Sequence, residues 1–214
     1  MAISRQTSGN GAAGSVTFTG TWVAGDLIVL NLMNSAGTTV PSTPSGYTSV
    51  SSGTEATGGS AERLVYKYAV GGDTVPTFTN TTSVAYAIYT GINATTPFVQ
   101  TAGQAGSSST MSSSGIVTYA NPGNDWVIIT ATGKGITGNI GSHPPTSMTL
   151  VTEYKSGSDD NCIFDSNTPL SSYSFNNQTL SASVSWITKT TELQYLAGGG
   201  GPTAHNLTLL GVGS

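Results

Sequence analysis

The pattern most suggestive of chemistry is GKGITG at residues 133–138, which has the spacing G-x-G-x-x-G directly after a strand-like run. In a dinucleotide-binding unit the third glycine opens a helix whose N–H groups bind pyrophosphate. Here Gly141, Pro144 and Pro145 follow, and these residues break helices. No serine or threonine follows Lys134, as a phosphate-binding P-loop requires. The pattern therefore predicts a loop at a strand end and no cofactor.

Histidine, carboxylate and cysteine residues form no convergent set in the sequence. His143 and His205 are far apart, and neither G-x-S-x-G nor H-E-x-x-H accompanies them. Residues 159–161, Asp-Asp-Asn, predict a polar hairpin turn, and Ca²⁺ ligation is the less favoured reading. Cys162 is the only cysteine, which excludes an intrachain disulfide and favours a small buried side chain. We therefore predict a protein that is not an enzyme and has no metal site.

Aromatic residues near strand ends are the candidates for surface contact. Trp22, Tyr47 and Tyr154 lie close to loops, where a ring could stack on a sugar or meet a partner protein. Trp126 and Trp186 lie in the most apolar strands and are predicted to be core residues.

Composition excludes several classes of partner. Charged residues make up 7% of the 214 residues, and 6 basic against 10 acidic residues give a net charge of −4 without a basic cluster. Nucleic acid is therefore an unsuitable partner. No run reaches the roughly 18 apolar residues of a membrane span. The first sixteen residues lack an apolar signal-peptide core, so we expect synthesis in a host cytoplasm without export.

Short apolar or alternating runs bounded by glycine, proline, asparagine and aspartate predict an all-β protein. In residues 63–70, RLVYKYAV, alternate residues share a face, which predicts one core face and one largely wet face. No window has a helical period. Strands are predicted at residues 15–22, 26–33, 63–70, 74–80, 83–92, 115–120, 125–132, 147–154, 161–166, 172–177, 180–190 and 204–211.

The order of elements repeats along the chain. Residues 26–29, DLIV, align with residues 125–128, DWVI, and the VTF at residues 16–18 aligns with the VTY at residues 117–119. Two half-units of about 100 residues each are therefore predicted. A single antiparallel β-sandwich is favoured over two small domains, because each half alone offers about six strands and few large apolar residues.

The predicted domain organisation has three parts. An N-terminal arm covers residues 1–14, and the β-sandwich covers residues 15–197, with half-units at about 15–100 and 115–197. Residues 101–114 are low in complexity and are predicted to connect the halves. Residues 198–214 are predicted to be a Gly-rich crossing followed by a C-terminal strand or arm.

Four motifs of the first half resemble a pattern common in tailed-bacteriophage virion proteins and related bacterial sequences. They are the strand GDLIV at residues 25–29, the loop PSGY at residues 44–47, the segment RLVYKYAVGGD at residues 63–73 and the exit YTGINATTP at residues 89–97. The resemblance covers roughly residues 15–100, with a looser echo to about 190. Tyr47 stands where an aromatic residue, often tryptophan, is usual. The resemblance implies a jelly-roll-like sandwich, and no site residue carries over.

The resemblance also implies a structural role in a virus particle. The favoured role is a head decoration, or cement, protein that binds the major capsid protein on the outer capsid surface as a homotrimer. The alternative is a tail, baseplate or fibre-associated module, with binding of a surface glycan as one option. A secreted-type carbohydrate-binding domain is a further alternative. None of these roles involves a membrane or a nucleic acid.

Overall fold

The computed structural model describes residues 2–55, 59–112, 119–174 and 177–196. These residues form ten strands and one short 3₁₀ helix, Ile140–Ser142, and they contain no α-helix. The strands form two antiparallel five-stranded sheets that pack face to face, so the chain is an all-β sandwich as predicted. Among the residues described there is no helix long and apolar enough to cross a membrane.

Each sheet is built from one half of the chain. Sheet 1 has the order β1-β5-β2-β4-β3 and consists of β1 (Ser4–Ala12), β2 (Leu27–Asn34), β3 (Thr48–Thr54), β4 (Ala61–Tyr68) and β5 (Ser83–Thr90). Sheet 2 has the order β6-β10-β7-β9-β8 and consists of β6 (Phe98–Met111), β7 (Trp126–Lys134), β8 (Thr149–Ser156), β9 (Asp159–Asp165) and β10 (Gln178–Leu193).

The two sheets share one strand order when β1–β5 are matched with β6–β10. Local details also correspond. Before β3, Tyr47 N–H donates to the Pro44 carbonyl, and before β8, Met148 N–H donates to the Pro145 carbonyl. Both β3 and β8 then have a register shift near their second residue. The two halves therefore agree in strand order and in these local details.

Apolar side chains fill three layers, one between the sheets and one on the outer face of each sheet. The layer between the sheets includes Leu27, Val29, Trp126 and Ile128. Loops cover both outer faces, so β2 and most of β7 are buried on both sides. For the same reason the second face of residues 63–70 is not wet as predicted, since Val65 and Ala69 are buried beneath loop side chains.

Several segments differ from their sequence-based predictions. Strand β3 was not predicted, and residues 172–174 and 177 of the strand predicted at 172–177 are not in a strand. Of the strand predicted at 115–120, residues 119–120 are not in a strand and the rest lies outside the described part of the chain. Residues 15–22 and 74–80 are loops rather than strands, and they lay Val16, Phe18, Val75 and Phe78 on the outer face of sheet 1. The predicted arm at 1–14 contains strand β1, which pairs with β5, and the predicted connection at 101–114 lies largely within strand β6. Backbone pairing at a sheet edge decides these two cases, because neither segment has an alternating apolar pattern. Residues 198–214 lie outside the described part of the chain.

Candidate functional site

The G-x-G-x-x-G segment is a structural loop. Strand β7 ends at Lys134, Gly135 has a φ of +81°, and only the three-residue turn Ile140–Ser142 follows. Lys134 Nζ donates to the carbonyls of Ser35 at 2.6 Å and Gly59 at 3.0 Å, which ties sheet 2 to sheet 1. The predicted loop is confirmed, and its Lys134 ammonium group is hydrogen-bonded to two carbonyl groups of the protein.

The metal-ligand candidates are dispersed. The hairpin turn is formed by Gly157 and Ser158, immediately before residues 159–161, where the turn was predicted. Asp160 and Asn161 are instead buried within β9. Successive strand residues point to opposite faces, so these two side chains cannot share a ligand. Within the described ranges no three His, Cys, Asp or Glu residues lie close enough to hold a metal ion. His143 is half-buried, and His205 lies outside these ranges.

Cys162 is fully buried on the outer face of sheet 2, as predicted for a small core side chain. Burial raises the pKa of its thiol well above the usual value, and the Asp160 carboxylate adds to the rise. The thiol therefore stays protonated and unreactive.

None of the three candidate aromatic side chains is fully exposed. Trp22, Tyr47 and Tyr154 are all half-buried, and the Trp22 ring packs edge-on against Phe18 with centroids 6.1 Å apart. Tyr154 lines a cavity of about 70 Å³ beside Ser35. The predicted core positions of Trp126 and Trp186 are confirmed at 5% and 4% exposure.

Tyr47 instead takes part in a tie between two of the sequence motifs. Lys67 Nζ lies 2.5 Å from Asp73 Oδ1 and 5.6 Å from the centre of the Tyr47 ring. Asp73 Oδ2 accepts from the N–H groups of Val70 at 2.9 Å and Gly71 at 3.2 Å. These contacts hold the PSGY loop against the GGD loop, and an open pocket of about 400 Å³ lies between them. We call the group formed by Tyr47, Lys67 and Asp73 the motif tie.

The remaining motif residues also fix loops. Arg63 donates through Nε to the Pro41 carbonyl at 2.6 Å and through a terminal nitrogen to Ser49 Oγ at 2.9 Å. At the exit from sheet 1, Gly91 has a φ of +78°, a region that favours glycine. Asn93 Oδ1 then accepts from the N–H groups of Thr95 and Thr96, which shapes the crossing to sheet 2.

Three carboxyl groups have pKa values raised to about 7, chiefly by burial. Glu62 faces sheet 2, where the Lys189 ammonium opposes the rise. Asp160 and Glu192 lie on the outer side of sheet 2. A neighbouring carboxyl group raises the pKa of each further, Glu153 that of Asp160 and Asp125 that of Glu192. Asp160 accepts from Ile140 N–H at 2.8 Å and Glu192 accepts from Ala120 N–H at 2.6 Å, so both act on loop backbone. Asp160 and Glu192 therefore stabilise the loops that cover sheet 2.

An open aromatic groove lies where sheet 1 meets β6. Its volume is about 300 Å³, and the Tyr66 and Phe98 rings at its base pack at 72° with centroids 5.2 Å apart. Thr48 and Thr101 also line the groove, and Val99 is 42% exposed. Sequence reasoning missed this groove because Tyr66 and Phe98 are adjacent only after the two sheets pack.

Strand β6 was also missed, and it differs from the other sheet edges. Edge strands β1, β3 and β8 each carry a register shift early in their pairing. Strand β6 has two register shifts in its pairing with β10, one towards each end, but between them residues 101–108 pair without interruption, the longest regular stretch of the four edges. The strand is 14 residues long, contains no charged residue or proline, and is exposed along most of its length. The available signal was the uncharged sequence FVQTAGQAGSSSTM, but its composition is equally typical of a linker.

The described residues thus form a β-sandwich with an open groove and a long, uncharged edge strand. Comparisons of the chain with protein-family models, with curated proteins and with solved structures found no match.

Proposed function

We propose that this chain is a non-enzymatic structural protein of a virus particle, and specifically a head decoration protein that binds the major capsid protein on the outer capsid surface. Synthesis in the host cytoplasm belongs to the same proposal. The function would lie in protein–protein contact, with no cofactor and no reaction.

The observation that supports this proposal best is the motif tie. The PSGY and RLVYKYAVGGD segments are two of the four motifs that carry the resemblance to virion proteins, and their residues Tyr47, Lys67 and Asp73 meet at one end of sheet 1. A motif whose residues hold loops in place is expected of a scaffold that presents surfaces. This arrangement accounts for the motifs without assigning them any chemistry.

Decoration would strengthen a shell by adding contacts that must break before shell subunits separate. Packaged genome pushes a capsid outward, and a bridging protein adds buried area across subunit junctions. With 7% charged residues, this surface would rely on apolar contacts and hydrogen bonds more than on ion pairs.

The number of copies in purified virus particles tests the proposal. Quantitative mass spectrometry against the major capsid protein should give on the order of hundreds of copies per particle, since decoration follows shell symmetry. A few to a few dozen copies would move the protein to the tail. Absence from the particle would overturn the virion role altogether.

The aromatic groove favours a second candidate, a tail, baseplate or fibre-associated module that binds a surface glycan. Tyr66 and Phe98 offer apolar ring surface, and the hydroxyls of Thr48 and Thr101 offer hydrogen bonds, which is a combination suited to a sugar. Glycan-array binding that is lost in Tyr66→Ala and retained in Tyr154→Ala would support this candidate. No binding by the unaltered protein would remove it.

A further inference from the structure

We propose that β6 is a self-association edge, through which two copies of this chain pair antiparallel across a two-fold axis centred within residues 101–108. The pairing would join the second sheets of both copies into one continuous ten-stranded sheet. The inference concerns a second copy of the chain and holds whether or not the protein is part of a virion. It predicts a dimer where the resemblance implies a trimer.

The first argument is the contrast among the four sheet edges. Monomeric β proteins protect their edges with bulges, charged side chains, proline or short strands, because a regular edge pairs with any strand it meets. Strand β3 is short at seven residues and has a register shift. Strands β1 and β8 have shifts, and they close one side of the sandwich where Asn10 Nδ2 donates to Thr152 Oγ1 at 2.8 Å. Strand β6 has a register shift on each side of residues 101–108, but these eight residues pair regularly and contain no charged residue or proline.

The second argument is that the edge is compatible with itself. When two identical edges meet antiparallel across a two-fold axis, a charge near the axis lies close to its own copy, and like charges on the same edge can also face each other, so such an edge repels itself. Strand β6 has no charged residue, and its exposed side chains are mostly those of glycine, alanine, serine and threonine. Alternate residues of an antiparallel strand point both backbone groups to the same side. Eight regular residues therefore leave enough groups for about eight hydrogen bonds between two copies.

The third argument is that β10 holds this edge in place. Trp186 pairs with Gly106 and Lys189 pairs with Gly103, and both long side chains lie against the glycine positions of β6. The Trp186 indole N–H also approaches Ser108 Oγ at 3.4 Å. Because β6 is supported from β10 along the whole regular stretch, little further ordering is needed when a second strand arrives.

The experiment compares the full-length chain with two matched lysine variants. Ala105→Lys places a charge in the middle of the edge, and Thr149→Lys places the same charge on exposed edge strand β8. Light scattering after size exclusion, across a concentration series, should give a dimer for the unaltered chain and for Thr149→Lys. Ala105→Lys should be monomeric, with association weakened at least about tenfold. Equal thermal midpoints for the two variants at low concentration show that the fold is retained.

Hydrogen exchange gives an independent readout that needs no substitution. Within residues 101–108, the alternate amides that point away from β10 should exchange more slowly as protein concentration rises, while those of β8 should not change. A monomer at every concentration, a trimer that Ala105→Lys leaves intact, or concentration-independent exchange in β6 would each overturn the proposal.

Discussion

Asn31 of β2 and Asn161 of β9 hydrogen-bond to each other across the interface between the two sheets. Asn31 Nδ2 donates to Asn161 Oδ1 at 2.9 Å, and Asn161 Nδ2 donates to the Asn31 carbonyl at 3.2 Å. Both residues are fully buried, and the Asn161 amide also lies 3.2 Å from Ser83 Oγ. The pair joins the two halves of the chain by hydrogen bonds within the layer between the sheets.

Asn161→Ala should therefore lower the free energy of unfolding by about 2–3 kcal/mol, because it leaves buried polar groups of Asn31 and Ser83 without their partner. Urea unfolding measures the loss. The double variant Asn31→Ala/Asn161→Ala should lose less than the sum of the single changes. Strict additivity would show that the two amides do not act as a pair, and exposed Thr149→Ala serves as the control within about 0.5 kcal/mol.

Stability should fall as pH rises from about 4 to about 8. Burial raises the pKa of Glu62 from 4.5 to about 7, so the folded state holds this proton more tightly than the unfolded state does. Ionising the Glu62 carboxyl group lowers the stability of the folded state. This loss is absent below the pKa of the unfolded state, 4.5, and complete above the pKa of the folded state, about 7. Asp160 and Glu192 act in the same direction. Thermal midpoints across this pH range provide the measurement.

Glu62→Gln isolates one of these contributions. The variant should be more stable than the unaltered chain at pH 8 by about 2 kcal/mol, and close to it at pH 4, because the amide cannot ionise. A gain of equal size at both pH values would mean that the effect comes from packing and not from titration.

Alanine substitutions at Gly25 and Gly91 distinguish the cost of backbone strain from the cost of a steric clash. Gly91 and Gly25 both have positive φ, +78° and +94°, but a Cβ at Gly91 would collide with the Ala2 carbonyl while Gly25 faces open space. Gly25→Ala should cost about 1 kcal/mol from strain alone. Gly91→Ala should cost at least about 2 kcal/mol more, because β1 must shift. Chemical denaturation of both variants measures the difference between their losses in free energy of unfolding. Equal losses would show that residue 2 moves aside without cost.

If the chain decorates a capsid as proposed, its binding should resist salt. Because few charged residues are available for ion pairs, particles washed in about 1 M NaCl should retain the protein at its original ratio to the major capsid protein. Gel densitometry of pelleted particles measures this ratio. Release by salt alone would show that the contact is mainly electrostatic.

Sequence patterns predicted the parts of the fold that depend on alternating apolar residues. Strands β2, β4, β5 and β7 lie where the runs around Leu27, Leu64, Val84 and Trp126 predict them. Elsewhere two kinds of error occurred: loops were predicted as strands, and a strand was predicted as a linker. Phe18 and Phe78 look like strand residues but cover a sheet from loops, and the glycine-rich residues of β6 form a strand because β10 supplies hydrogen bonds and a tryptophan ring.

The candidate site was predictable only in its individual residues. Tyr47 was singled out by its place in a motif, but its partners Lys67 and Asp73 are set by how two loops fold over sheet 1. The groove of Tyr66 and Phe98 depends on how one sheet lies on the other, and no local pattern contains that information. The pKa of Glu62 likewise depends on burial between the sheets.

The division of the sandwich into one sheet per half has a consequence for biosynthesis. The last strand of sheet 1 ends at residue 90, and all five strands are outside the ribosome once enough further residues have been translated to fill the exit tunnel. The backbone pairing of sheet 1 can therefore form before sheet 2 is complete. Until then Leu27, Val29 and Leu64 face water on a nascent chain. The second half must therefore arrive quickly, or a chaperone must shield that face during translation.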